Sequence, residues 1–356
     1  MDNMREINDK WHLRFAITGR CNFRCKYCNM HGKTSYIEDM PLHEVKEILQ
    51  GAYANGIRRV HFTGGEPFIR KDFLKILAIA KDVGFNDEIV TTNGFMLHKV
   101  LDRCIENGLT RAIISLDSMS DERNTNITGV NFFKETKKSI EAATEKLSST
   151  TKVSCVTMKS MLKELPEFIQ YIQEINKREN AGKLILKLNQ FHPDNEAQLH
   201  KEGQDYWVKE YVSDKEIFSA LGKFGELKRI SNMVGDNPSY QYYTVGNTGV
   251  IVGVLCMMSW NFPCGKCFKL RAQPSGKIMV CKNYQKSPGL IGKTLKEKTR
   301  IISDWMNYRE LKIDKEMPNR IHYNSQLGEE RWGKVDNPKS KNFFINYLKK
   351  EGKPNI

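Results

Sequence analysis

The chain has 356 residues, 40% of them apolar, with 56 lysines and arginines against 42 acids for a formal charge of +14. That length allows one large domain, or one domain with an appendage, and the positive surplus favours anionic partners such as nucleotides, phosphates, RNA or an acidic peptide. Nine cysteines, six of them in two tight groups, argue against a disulfide framework; with no signal sequence in Met1–Glu6 and no apolar run near the roughly 20 residues of a membrane helix, the expectation is a soluble, cytoplasmic protein.

Residues 13–18 alternate as a first strand. The run Cys21-Asn22-Phe23-Arg24-Cys25-Lys26-Tyr27-Cys28 follows it, with three cysteines spaced C-x3-C-x2-C. Thiolates crowded on one loop suit a soft metal centre such as an iron–sulfur cluster, and three ligands rather than four leave one metal position open. A zinc knuckle is the plainer alternative. Residues 41–49 carry apolar residues at helical spacing with a proline in the first turn. Residues 60–63 form a second strand, followed by Thr63-Gly64-Gly65-Glu66-Pro67. Glycines permit close approach to the backbone, and a carboxylate can receive an ammonium. A helix over 72–83, a strand over 88–91, a helix over 97–107 and a strand over 112–116 follow. Thr92-Asn93-Gly94 and Ser115-Leu116-Asp117 fall just after the third and fourth strands. A helix over 133–147, a strand over 152–158 closely followed by Lys159, a helix over 165–177 and a strand over 184–188 complete the pattern.

Strand and helix thus alternate six times, which argues for parallel βαβ units with right-handed crossovers. Six units fall short of the eight of a closed barrel. The expected fold is α/β, a partial (βα)6 TIM-like barrel spanning residues 1–195. Residues 196–332 are a C-terminal region in which the alternation fails and residues 246–254 read as strand. Residues 333–356 are a basic, weakly patterned tail. Within the C-terminal region Cys264, Cys267 and Cys281 are spaced C-x2-C-x13-C. Spacing alone also fits most of a zinc ribbon. Cys104, Cys155 and Cys256 read as buried structural thiols, with Cys256 the one that could close the second site.

The cysteine loop after the first strand, with an aromatic before its last cysteine, resembles the radical S-adenosylmethionine (SAM) superfamily. The resemblance implies a 4Fe-4S cluster on Cys21, Cys25 and Cys28, SAM chelating the open iron, and one-electron cleavage of SAM that leads to hydrogen abstraction from a substrate. It implies a SAM site of Tyr27, Gly65, Glu66, Thr92, Ser115 and Lys159, and a reduced flavodoxin or ferredoxin as electron donor. The second cysteine group and its flanks, Phe262–Arg271 and Ser275-Gly276-Lys277, resemble the GTP 3',8-cyclase family of molybdenum cofactor biosynthesis, from about residue 12 to 290. That implies a second 4Fe-4S cluster on Cys264, Cys267 and Cys281 and a small anionic substrate, GTP the first candidate, held by Arg14, Arg59, Lys187, Lys269 and Arg271. Lysine replaces the family's arginine at Lys187 and Lys269, His61 stands where the family has a basic partner of Arg59, and the family's Gly-Gly end is replaced by Pro354-Asn355-Ile356. Lysine lacks arginine's bidentate fork. The alternative is therefore the same architecture acting on another nucleoside, a sugar or a peptide. A nucleic-acid-binding protein with two metal knuckles is disfavoured by the ordered motifs.

Overall fold

Strand β1 (His12–Thr18) buries Leu13, Phe15 and Ile17 completely on one face and turns His12, Arg14 and Ala16 to the other. Its neighbours follow suit: β2 (Arg59–Gly64), β3 (Asp87–Thr92), β4 (Leu109–Ser115), β5 (Thr151–Thr157) and β6 (Leu184–Gln190). All six are parallel and paired in sequence order. The crossovers are α1 (Leu42–Ala54), α2 (Phe73–Val83), α3 (Leu97–Glu106), α4 (Asp121–Thr128) with α5 (Phe133–Lys146), and α6 (Lys159–Lys163) with α7 (Leu165–Asn176). The main core lies between the strands' apolar face and these helices, with Ile48, Leu49, Ile76, Leu77, Phe168 and Ile172 among its fully buried members. The computed structural model describes residues 10–28, 38–179, 182–191, 206, 209–230, 240–256, 267–280, 287–316, 321–323 and 330–332.

The C-terminal region extends this sheet at both edges. Beyond α8 (Asp214–Gly222), the hairpin β7 (Leu227–Ile230) and β8 (Gln241–Val245) leads into β9 (Ile251–Leu255), which lies parallel to β6. The single strand expected over 246–254 begins too early. Gly246 and Gly249 take positive φ and turn the chain between β8 and β9. Strand β10 (Lys269–Ala272) crosses to the far edge and lies parallel to β1, with β11 (Ile278–Met279) antiparallel outside it. Eight adjacent strands, β10-β1-β2-β3-β4-β5-β6-β9, are therefore parallel within an eleven-stranded sheet whose outermost strands are β11 and β7. The long helix α9 (Leu295–Glu316) packs on α1, where Lys298 Nζ meets Glu44 Oε2 at 2.6 Å and also Glu47. A two-stranded ribbon, β12 (Ile321–Tyr323) and β13 (Glu330–Trp332), stands apart from the sheet.

The sheet is curled. Four strand spacings, about 19 Å if flat, separate β2 from β6. Yet the ammonium of Lys187 on β6 acts electrostatically on His61 of β2 and on Lys269 of β10. The non-helical face therefore closes on itself as a trough, in keeping with a partial barrel.

Candidate cluster and cofactor site

Parallel strands put every strand-to-helix loop at one end of the trough. The cysteine loop follows β1 there and leans on the end of α4: Arg24 N donates to Thr128 O (2.7 Å) and Lys26 N to Ile127 O (3.0 Å). Helix α4 stops at Gly129, in the left-handed region at φ +74°, and a Cβ there would meet Arg24 Cβ at 3.0 Å. The Phe23 N–H points at Cys21 Sγ (3.4 Å). Burial first, and the neighbouring Cys28 sulfur among other charges, push Cys21 up to about 11, while the Phe23 N–H works the other way. Burial, Asp117 and the other two sulfurs push Cys25 up as well. Among the described residues no three such side chains are already gathered as a ready metal cage. Cys21 and Cys25, held neutral by burial, and Cys28 beside them are nonetheless the donor set a soft, positively charged iron core suits, since metal binding displaces thiol protons.

The Gly64-Gly65-Glu66 turn is locked against this loop. Gly65 N donates to Thr18 O (2.9 Å) and Glu66 N to Arg20 O (2.8 Å). A Cβ on Gly65 would lie 2.0 Å from Arg20 O, and one on Gly64 2.3 Å from Thr18 O. The glycines are thus required by the approach of the β1 backbone itself. Glu66 is buried, and its carboxylate clasps the next loop: Oε1 accepts from Thr92 Oγ1 (2.7 Å) and Phe68 N (3.1 Å), Oε2 from Asn93 N (2.7 Å). Burial raises it to about 7, against the pull of those three donors. Tyr27 ties the cysteine loop to the end of β4, its hydroxyl donating to Asp117 Oδ2 (2.5 Å) while Asp117 Oδ1 accepts from Val156 N (2.8 Å). Burial lifts Asp117 to about 6. Ser115 closes β4 and Lys159 opens α6, both half-buried at the same end. Tyr27, Gly65, Glu66 and Thr92 thus join the cysteine loop to its neighbouring turns, and Ser115 and Lys159 lie at the same end of the strands.

Deeper in the trough the inward residues are basic. Register places Arg14 beside Arg271 on one side and His61 on the other, and His12 beside Lys269. Lys187 faces them from β6, its ammonium 3.8 Å from the ring centroid of Tyr240. Burial, then Arg271, lowers Arg14 to about 10. Burial, and then mainly Arg271, Arg14 and Lys187, push Lys269 well below the usual lysine value, with Cys267 acting the other way. Burial and the surrounding cations likewise hold His12 and His61 well below the usual imidazole range. The five expected substrate residues therefore lie on one face of the sheet; Arg59 acts on His12 and also gives its guanidinium to Asp87 (2.5 Å), which takes Arg111 too. His12 was not singled out in the sequence, although it lies two residues from Arg14 on the same strand face.

At the opposite end of the trough Cys267 immediately precedes the Phe268–Lys269 step into β10, and Arg309 of α9 donates to its carbonyl (2.9 Å). Cys264 and Cys281 lie outside the described residues. Cys256 follows β9, which runs parallel to β6, and so lies at the cysteine-loop end. Cys267 precedes β10, at the other end. Cys256 and Cys267 thus adjoin opposite ends of the parallel strands. Cys104 and Cys155 are core thiols, both fully buried.

A three-cysteine loop after the first strand of a curled parallel sheet, with the Gly-Gly-Glu turn locked against it, defines a radical SAM enzyme, and the radical SAM superfamily model matches residues 15–172. Members bind SAM and a 4Fe-4S cluster, and the donors described above fit both. GTP 3',8-cyclase of Vibrio parahaemolyticus is 31% identical over 290 residues, 78% of this chain and 81% of that protein. The enzyme of the same name from Chlorobaculum tepidum is 26% identical over 279 residues, 78% of this chain and 79% of that one. The chain belongs to the GTP 3',8-cyclase family within that superfamily. The fold is shared with native anSMEcpe with bound AdoMet, at a TM-score of 0.55 and 12% identity over 96% of this chain and 98% of that one. It is shared too with Streptococcus suis SuiB bound to S-adenosylmethionine, at a TM-score of 0.54 and 14% identity; the match takes in 80% of this chain but only 64% of that one. Among the described residues no helix is long and apolar enough to cross a membrane.

Proposed function

We propose that this chain is a two-cluster radical SAM enzyme acting on a small anionic substrate of the nucleotide type, as a GTP 3',8-cyclase does. The observation that carries the reading is the convergence of Arg14, Lys187, Lys269 and Arg271 between the two cysteine-bearing ends of the trough. Buried like charges repel strongly in a low-dielectric interior, so the arrangement gains most from an anion that neutralises several of them at once.

When bound, a 4Fe-4S cluster with SAM on its open iron supplies the electron that cleaves SAM. Cys21, Cys25 and Cys28 would hold it, with the Phe23 N–H favouring the thiolate of Cys21. Gly65, Glu66, Thr92, Ser115, Lys159 and Tyr27 would form the surrounding SAM site, with Glu66 fixing the turn that carries Thr92. A second cluster on Cys264, Cys267 and Cys281 would lie below the cations. Arg14, Lys187, Lys269 and Arg271 would bind and orient the phosphates, and Tyr240 offers an aromatic face beside Lys187. Arg59, beside His12 and paired with Asp87, would join those cations. A reduced flavodoxin or ferredoxin is the expected electron source.

Anaerobic calorimetry tests the reading with GTP, other nucleotides, guanosine and neutral peptides. GTP should bind and guanosine should not. Arg271→Ala should weaken GTP by about 1–3 kcal/mol, the scale of a charge-assisted hydrogen bond. Binding of a neutral peptide or sugar in place of any nucleotide would sink the anionic-substrate reading and leave the SAM site untouched.

A further inference from the structure

The asparagine after the first cysteine is held in one orientation by a relay of hydrogen bonds. Phe95 N donates to Asn93 Oδ1 (3.1 Å), so the other end of that amide, Nδ2, must be a donor; it donates to Asn22 Oδ1 (2.8 Å). Asn93 is fixed in turn by its N–H on Glu66 and by Thr136 Oγ1, which donates to its carbonyl (2.8 Å). The relay settles which way the Asn22 amide faces, since exchanging its oxygen and nitrogen would set two donors against each other. Its NH2 group is thereby turned away from Asn93. That nitrogen is buried and has no acceptor among the described residues. A buried amide donor left unmet costs about 1–3 kcal/mol, and here a second loop is arranged to hold it so. The adjacent residue is Cys21, whose sulfur already receives the Phe23 N–H.

We infer that Asn22 Nδ2–H donates to a sulfur of the iron–sulfur cluster held by Cys21, Cys25 and Cys28, and sets that cluster's reduction potential. Hydrogen bonds to cluster sulfurs favour the reduced, more negative state and raise the potential. Asn22 is then a positioning and tuning residue, and Asn93 its orienter. The inference rests on the radical SAM assignment.

The test is an anaerobic redox titration of the reconstituted full-length protein, followed by electron paramagnetic resonance. The cluster in question is the one whose signal changes when SAM is added. Asn22→Ala should shift its midpoint to more negative potential, Asn22→Gln should recover part of the shift, and any signal insensitive to SAM should stay put. Superimposable titrations of wild type and Asn22→Ala would overturn the inference. So would an unchanged midpoint with a tenfold weaker SAM affinity, which would give the donor to SAM instead. If the variants fail to load iron, wild-type protein grown with asparagine labelled with ¹⁵N in its side chain decides: a hyperfine coupling from that nitrogen supports the assignment, and its absence refutes it. Wild-type protein that takes up no iron would defeat the superfamily reading itself, a separate result.

Discussion

Glu88 opens a sharp test of the fold's electrostatics. It lies near the start of β3, almost fully buried, and neither carboxyl oxygen has a hydrogen-bond donor among the described residues. Burial pushes its pKa from the usual 4.5 up to about 9, against the attraction of Lys81. The folded state therefore keeps its proton at neutral pH while the unfolded chain loses it. With the folded value raised, the stability Glu88 contributes is fully present below about pH 4.5 and is lost as pH rises towards 9. The slope is about 1.4 kcal/mol per pH unit inside that window, so about 4 kcal/mol between pH 5 and 8 as an upper bound. Glu88→Gln keeps the shape and removes the titration. Denaturant unfolding of both proteins at pH 5, 6.5 and 8 should show the variant gaining on wild type at each step. A stability difference that does not change with pH would refute the account of Glu88 as a buried, proton-bearing acid.

Gly65→Ala should prevent iron loading, because its Cβ would lie 2.0 Å from Arg20 O and must push the cysteine loop away; normal iron content in the purified variant would contradict this. Lys298→Ala should destabilise the fold by about 3–5 kcal/mol, since it leaves Glu44 buried beneath α9 without its cation; a loss under 1 kcal/mol in denaturant titration would show that α9 contributes little. Tyr27→Phe removes the donor on Asp117 and should cost about 1–2 kcal/mol while raising the pKa of that carboxyl further, because the hydroxyl favours its charged form; an unchanged carboxyl titration by infrared difference spectroscopy would oppose it.

The six parallel units were legible in the sequence because each strand carries a run of apolar residues and each helix an apolar stripe at its own period. The cysteine loop was legible because thiol spacing is rare and chemically specific. Helix α4 was not, since Asp121–Thr128 has almost no apolar stripe; its signals are the Ser120 cap, accepting from Arg123 N (3.3 Å), and Gly129. Strand β9 fell largely within the strand expected over 246–254 and β10 was not expected; what stayed hidden for both is the edge of the sheet they join. Their partners are β6 and β1, and no local period reveals which edge a short strand joins. The family resemblance brought Arg14, Arg59, Lys187, Lys269 and Arg271 onto one list, but only the structure shows that Arg59 is paired with Asp87 and that His12 stands among these cations. The clasp of Glu66 on Thr92 and Asn93 was equally invisible, because a carboxylate after two glycines looks the same whether it serves a ligand or a neighbouring turn.

The pairing of β1 with β10 has a consequence for how the protein is made. Roughly 250 residues separate the two strands, so on a ribosome adding about 5–20 residues per second the outer edge of β1 stays open for on the order of 10–50 s after its synthesis. An unpaired, parallel-type edge is a template for misassembly with another nascent chain. Expression should therefore depend on translation rate and chaperone supply, and a chain cut after β6 should aggregate even though it holds the first cysteine loop intact.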